Sequence, residues 1–193
     1  MDFDWEYLLT LAGNRDFWAA SLLVAWLSTL TWLIGSFLGL FVALARTTGP
    51  AWLKQVAGTY IWFFRSLPLL VLLIFVYNLP QALPGLQPIL SNPFWAGLIA
   101  LVISETAYLA EIHRGGLLAV EKGQHEAARA LGIKPFGKYR HIVVPQAIRV
   151  ALPALGNQFI TIVKLTSLVS VISLAEVLLV RSEEHTSELQ SPM

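Results

Sequence analysis

The chain contains no cysteine among its 193 residues, so it can form neither a disulfide nor a thiolate metal site. Charge is nearly as scarce: Asp, Glu, Lys and Arg make up 13% of the residues, against 56% hydrophobic ones. Two long stretches, 17–45 and 66–104, hold none of the four. A soluble domain needs more charge than this to cover its surface. A bilayer core about 30 Å thick asks instead for roughly 20 apolar residues per helix. The chain therefore reads as an all-α, polytopic membrane helix bundle.

Other absences narrow the function. The formal net charge of +1 supplies no field for nucleic acid, so no nucleic-acid partner is expected. No Gly-x-x-x-x-Gly-Lys-Ser/Thr loop occurs, so this chain is not expected to bind or hydrolyse ATP itself. His113, His125, His141 and His185 form no His-Glu-x-x-His arrangement, and no Ser/His/Asp or paired-carboxylate site is evident. No catalytic residue, no metal site and no bound cofactor is expected. No internal repeat of the kind seen in many secondary transporters appears either. The acidic start Met1-Asp2-Phe3-Asp4-Trp5-Glu6 lacks the basic segment of a secretory signal, so the first span is expected to be retained.

About four spans are expected. The first is Phe17 to Ala45, closed by Arg46 and by Gly49-Pro50. The second runs from Tyr60 to Asn78, followed by a short non-helical link carrying Pro80, Pro84, Gly85 and Pro88. The third runs from Pro93, suited to a first helical turn, to about Ile112. The fourth begins near Gln146 and is too long for one crossing, with a break expected at Thr166-Ser167 and a return of Leu168 to Val180 toward the outer mouth. Arg46, Lys54 and Arg65 lie between spans one and two, and Arg114, Lys122, Arg129, Lys134, Lys138, Arg140 and Arg149 between spans three and four. The Pro80 to Asn92 link has no basic residue, and the N-terminus only Arg15. The positive-inside rule then puts both basic loops in the cytoplasm and the N-terminus outside. Trp5, Trp18, Tyr77 and Trp95 suit the outer interface, and Trp52, Tyr60 and Trp62 the inner one.

The basic insert between spans three and four carries local structure signals. Gln124 to Leu131 favours a helix, with Glu126 and Arg129 on a common face and Gly132 placed as a left-handed cap. Ala127 and Ala128 keep that helix slim, so that a partner surface can approach. Pro135 suits the start of a second short helix, and Pro145 interrupts the approach to span four. This describes a knob projecting from the membrane. The plainer reading, favoured on local physics alone, is a solvated loop.

The order of motifs reverses that preference. Glu126-Ala127-Ala128, three residues, Gly132, nine residues, then Ile142 and Pro145 resembles the EAA loop of ABC-transporter permease subunits. Further segments are similar to that family's polar amino-acid branch, the glutamate/aspartate- or histidine/glutamine-type permeases. They are Phe64-Arg65-Ser66-Leu67-Pro68, Ala107-Tyr108-Leu109-Ala110-Glu111, Lys122-Gly123-Gln124, Pro145-Gln146-Ala147 and Gly156-Asn157-Gln158. The resemblance covers about Phe17 to Val180. Departures are Val144 for the usual Leu before the proline, Ser66-Leu67 for a frequent Gly-Thr, and Leu165 where Asp is common.

The resemblance implies a type I importer permease fold and ATP-driven uptake of polar amino acids by a multi-pass protein of the bacterial cytoplasmic (inner) membrane. The implied partners are an ABC ATPase that holds the ATP, a periplasmic or lipid-anchored amino-acid-binding protein, a second permease chain, identical or homologous, and membrane lipid. Within a permease domain of 1–180, a coupling loop of 121–145 would dock on the ATPase through Glu126, Ala127, Ala128, Gly132, Ile142 and Pro145. The rival readings are a secondary carrier or channel, and a non-transporting scaffold subunit. Members of the branch have a fifth span that is absent here. The polar residues 181–193 resemble the translation of a sequencing-library adapter, so a reading frame truncated near Val180 with a non-native tail is expected.

Ionisable residues inside spans complete the candidate list, because each costs at least ~2.5 kcal/mol at a helix centre and so faces protein or water. Glu111 and Arg114, at i and i+3, read as a pair. Lys164 is expected either to pair with Glu105 or to meet a substrate carboxylate. Gln158, Thr161 and Lys164 fall three residues apart as a polar stripe, and Glu105, Gln158, Thr161 and Lys164 are the candidate substrate-pathway residues. Glu176 is placed at the outer mouth. Gly35 and Gly39 form a small-xxx-small pair for helix packing.

Overall fold

A computed structural model of the chain describes residues 15–169, and among these every regular element is helical. The main helices are α1 (Arg15–Thr48), α2 (Ala51–Ser66), α3 (Leu69–Ala82), α4 (Gln87–Leu90), α5 (Pro93–Ala119), α6 (Lys122–Ala130), α7 (Pro135–Lys138) and α8 (Val144–Leu165). The expected return of 168–180, Glu176, Trp5 and the tail 181–193 lie wholly or almost wholly outside the described residues.

Helix α5 is the centre of the bundle, packing against α1, α2, α3 and α8. Its small residues explain this position. Ala96, Ala100, Ser104, Ala107 and Ala110 are all buried, so neighbouring backbones come close. From α1, Gly39 lies so near that an added Cβ would stand 2.9 Å from the Ala110 nitrogen, and one on Gly35 would stand 3.0 Å from Leu109 Cδ1. The expected glycine pair therefore packs as a helix contact. Gly116 makes the same kind of approach to Ala147 on α8. The opposite face of α1 exposes Trp18, Leu22, Trp26, Leu33, Phe37 and Phe41, an apolar band that suits lipid. Trp32 Nε1 donates to the Leu155 carbonyl at 2.9 Å and ties α1 to α8.

Four expectations about the spans need correction. The second is not one helix from Tyr60 to Asn78: α2 and α3 meet at a bend of 102°. Leu67 precedes Pro68, is driven out of the helical region to ψ 127, and so breaks the chain there. The link after Asn78 is not irregular. Pro80 stays inside α3, and a 3₁₀ turn at Pro84–Leu86 leads into α4, where proline is tolerated in the first turn. The third span does not stop near Ile112 but continues to Ala119, because its polar groups find partners. Glu111 is paired, and His113 Nε2 lies 3.0 Å from Ser36 Oγ. Finally, Pro145 does not interrupt the approach to the fourth span. A π turn at Tyr139–Val143 runs directly into α8, with the Val144 N–H bonding the Tyr139 carbonyl. The wider turn makes room for the Pro145 ring, which in a regular helix would collide with the carbonyl four residues back.

Helix starts and stops elsewhere follow local rules. Asn92 Oδ1 accepts from the Phe94 N–H at 2.9 Å ahead of Pro93, a side-chain cap for α5. At the far end, α8 tightens into a 3₁₀ turn at Thr166–Leu168, where the break was expected. Thr166 and Ser167 each donate to a carbonyl three residues back at 2.7 Å, which favours the tighter winding.

Close approach along α5 should make Gly39 intolerant of a larger side chain. Gly39→Val is expected to lose about 1–3 kcal/mol by overpacking. Gly115→Ala, with nothing within 4 Å of its added Cβ, should gain up to about 1 kcal/mol of helix preference. Thermal unfolding in detergent, followed by helical circular dichroism, compares the two.

Candidate functional site: a polar cavity and a helical knob

The polar cavity forms where the α2–α3 break faces α5 and α8. It has a volume of about 580 Å³ and is lined by Arg65, Ser66, Ser104, Glu105, Tyr108, Gln158 and Thr161, with Leu67, Leu69, Leu70, Leu165 and Leu168 as its apolar wall. Glu105 is 1% exposed and accepts a hydrogen bond from Gln158 Nε2 at 2.7 Å. Tyr108 Oη donates weakly to the Arg65 carbonyl at 3.4 Å, and its ring lies 5.2 Å below the Arg65 guanidinium. A neighbouring cavity of about 570 Å³ between α2, α3 and α5 is lined wholly by apolar side chains and gives a polar solute nothing to bind.

Three of the four expected pathway residues, Glu105, Gln158 and Thr161, thus share one cavity. Lys164 does not join them. It is exposed, lies outside the lining and makes no ion pair with Glu105; among the described residues the Glu105 carboxylate is held by Gln158 instead. The reason is helical geometry. A three-residue step falls about 60° short of a full turn, so two steps carry Lys164 roughly 120° away from Gln158. Ser104 and Tyr108 were not expected in the lining. Arg65 and Ser66 reach it because the break at Pro68 turns the end of α2 toward α5.

Toward the C-terminal end of α5 Glu111 does pair with Arg114, at 2.8 Å, and Arg46 from α1 joins on the other carboxylate oxygen.

The knob is α6, a capped turn, α7 and the π turn. Gly132 has φ +69, and the Ile133 N–H reaches the Ala128 carbonyl while the Gly132 N–H reaches that of Arg129, each at 3.0 Å. That double bond pattern closes a helix with a left-handed residue, which glycine adopts without strain. Glu126 and Ala127 are exposed, as are Gly132 and Pro145, while Ile142 is half-buried. Ala128 corrects the expectation of two alanines open to a partner: it is 1% exposed and anchors α6 onto the chain itself. Glu126 and Arg129 do not pair, and Arg129 Nε instead lies 3.4 Å from the His125 carbonyl. Gln146 Nε2 donates to Gln124 Oε1 at 3.2 Å, joining α6 to the first turn of α8.

A bundle of apolar helices with a structured knob between two of its spans fits the class of transport permeases. The chain belongs to the family of binding-protein-dependent transport system inner membrane components, whose model matches residues 35–185. It is 43% identical over 149 residues to the octopine transport system permease protein of Rhizobium meliloti, covering 75% of this chain and 61% of that protein. It is 36% identical to the glutamine transport system permease protein of Escherichia coli K12 over 182 residues, covering 91% of this chain and 78% of that one. The chain thus spans less than two thirds of the octopine permease it matches. Among solved structures, an amino acid ABC transporter with histidines superposes with a TM-score of 0.68 at 38% identity, covering 90% of this chain and 78% of its own. An inward-facing methionine ABC transporter gives a TM-score of 0.65 at 18% identity, covering 96% of each chain, and shows the same fold. The architecture is that of an ABC importer permease, and the chain is a multi-pass membrane protein.

The Glu105–Gln158 bond spans α5 and α8, so its loss should be felt in stability. Glu105→Ala leaves Gln158 without its acceptor and is expected to lose about 1–3 kcal/mol. Glu105→Gln keeps an acceptor and should lose less than half as much. Equal losses in detergent unfolding experiments would argue that the hydrogen bond contributes nothing.

Proposed function

We propose that this chain is the membrane-spanning permease subunit of an ATP-driven importer of polar amino acids in the bacterial cytoplasmic membrane, with its N-terminus outside. The relatives' names support the substrate class, since they are permeases of octopine and glutamine transport. A periplasmic or lipid-anchored binding protein delivers the solute, and a second permease chain, the same or homologous, completes the pathway. An ABC ATPase binds the knob and carries the ATP, so this chain needs no cofactor of its own.

The observation that carries the reading is the physical continuity from knob to cavity. The Gln124–Gln146 bond and the unbroken run of α7, π turn and α8 link the exposed Glu126 surface to Gln158 and Thr161. Movement of a partner that grips Glu126, Ala127 and Gly132, with Ile142 and Pro145 at the base, is carried along α8 as along a lever. Buried Ala128 makes α6 move with the bundle rather than swing free. In the cavity, Glu105 suits the ammonium of an amino acid, as does the Thr161 hydroxyl oxygen, whose proton goes to the Asn157 carbonyl at 3.2 Å, while Gln158 and Arg65 offer donors to its carboxylate. Lys164 belongs to the pathway where the second permease chain closes over the exposed face of α8.

Reconstitution with a cognate ATPase and binding protein tests both parts. Glu126→Arg should lower ATP-driven uptake at least about tenfold and weaken ATPase capture, as expected for a reversed charge at an interface. Thr161→Val should raise the KM for uptake while leaving ATPase capture unchanged. Full uptake by Glu126→Arg would refute the coupling role, and unchanged kinetics in Lys164→Met would remove Lys164 from the pathway.

A further inference from the structure

A third cavity, of about 380 Å³, lies beyond the wall formed by Arg65, Ser66 and Tyr108, and it is lined also by Arg46, Gly58, Trp62 and Glu111. Its charge is unbalanced. Glu111 accepts from Arg46 on one carboxylate oxygen and from Arg114 on the other, the latter through Nε at 3.0 Å and Nη2 at 2.8 Å. Both oxygens are thus engaged, and neither is left to hold a cation. Arg65 lies over the Tyr108 ring and meets no carboxylate within ion-pair distance among the described residues. In the lining, two guanidinium groups stand against one carboxylate, a surplus of one positive charge, and Arg114 on the far oxygen of Glu111 adds a second just outside it. Gly58 keeps the floor open, since nothing lies within 4 Å of a Cβ placed there.

The surroundings indicate the kind of anion. The cavity sits where basic residues mark the cytoplasmic side, and Trp62 at its rim is 69% exposed, with Phe63 exposed beside it. Basic pockets between spans on that side receive anionic headgroups, and arginine forks match phosphate oxygens in pairs. We propose that the Arg46–Arg65 cavity is a binding site for a phosphate-bearing anion, with an anionic lipid headgroup or soluble phosphate as its source. The site does not depend on the transport reading. It uses the family's fold and the charge around Glu111, and Arg65 connects it to the wall of the polar cavity.

The test uses the purified full chain in detergent, with phosphatidylglycerol, phosphatidylcholine and inorganic phosphate as separate probes. Native mass spectrometry should show phosphatidylglycerol retained in preference to phosphatidylcholine. Arg65→Gln, which breaks no ion pair, should lower that retention about fivefold, whereas Arg149→Gln, the same charge change at an exposed position outside the cavity, should not. Displacement of the lipid by millimolar phosphate identifies soluble phosphate as a source, and resistance to it identifies the lipid. Equal retention in Arg65→Gln and Arg149→Gln, or equal retention of the two lipids, overturns the proposal. A second measurement leaves the arginines untouched. The part of the fluorescence that Trp62→Phe removes should be quenched more by brominated phosphatidylglycerol than by brominated phosphatidylcholine, and equal quenching counts against the site.

Discussion

In a bilayer the apolar surfaces of two helices gain little by leaving lipid for one another, so a bundle of this kind depends on how closely its backbones can approach. Here that constraint falls on α5. Gly35 and Gly39 of α1 close in on its Thr106, Leu109 and Ala110, and its Gly116 lies against Ala147 of α8. Leu27 of α1 joins the core, whereas Trp18, Trp26, Phe37 and Phe41 of the same helix are turned outward, as suits lipid. Because α1, α2, α3 and α8 all pack on α5, the level at which each polar group sits is set relative to this one helix.

Two local breaks then place the chemistry. Pro68 sends the chain through a 102° bend and brings Arg65 and Ser66 against α5, opening polar cavities on both sides of the Arg65–Tyr108 contact. Pro145 forces a widened turn and yet lets the knob feed into α8 without a joint. One proline therefore makes a wall, and the other leaves the helix continuous. Glu111 of α5 holds the C-terminal end of α1 through Arg46 and pairs with Arg114 of its own helix, which lets α5 run on to Ala119 and hand the chain directly to α6.

Much of the helical order was legible before the fold. The charge-free stretches marked the spans, Gly132 marked the left-handed cap, Pro135 the second short helix, and Gly35-x-x-x-Gly39 a close contact. These features are local, since composition and residue stereochemistry decide them. The errors share a cause as well. Intrinsic preference makes Pro80 and Pro145 breakers, whereas Pro80 stays inside α3 and the π turn before α8 accommodates Pro145. Ala128 was read as open because a helix of nine residues does not reveal which face meets its own bundle.

The sequence by itself determined the class of environment, the helical makeup and the ordered motifs of the knob, because hydropathy, glycine and proline act over a few residues. Only the tertiary structure decided that Glu105 meets Gln158 and not Lys164, and that Arg65 and Tyr108 join the site. It also decided that Arg46 completes the pair at Glu111. Those partners lie on different helices, and their meeting depends on crossing angles and helical phase, which no window of sequence contains. The knob's role has the same division: its motif can be read along the chain, but its continuity with the polar cavity exists only once α8 is folded against α5.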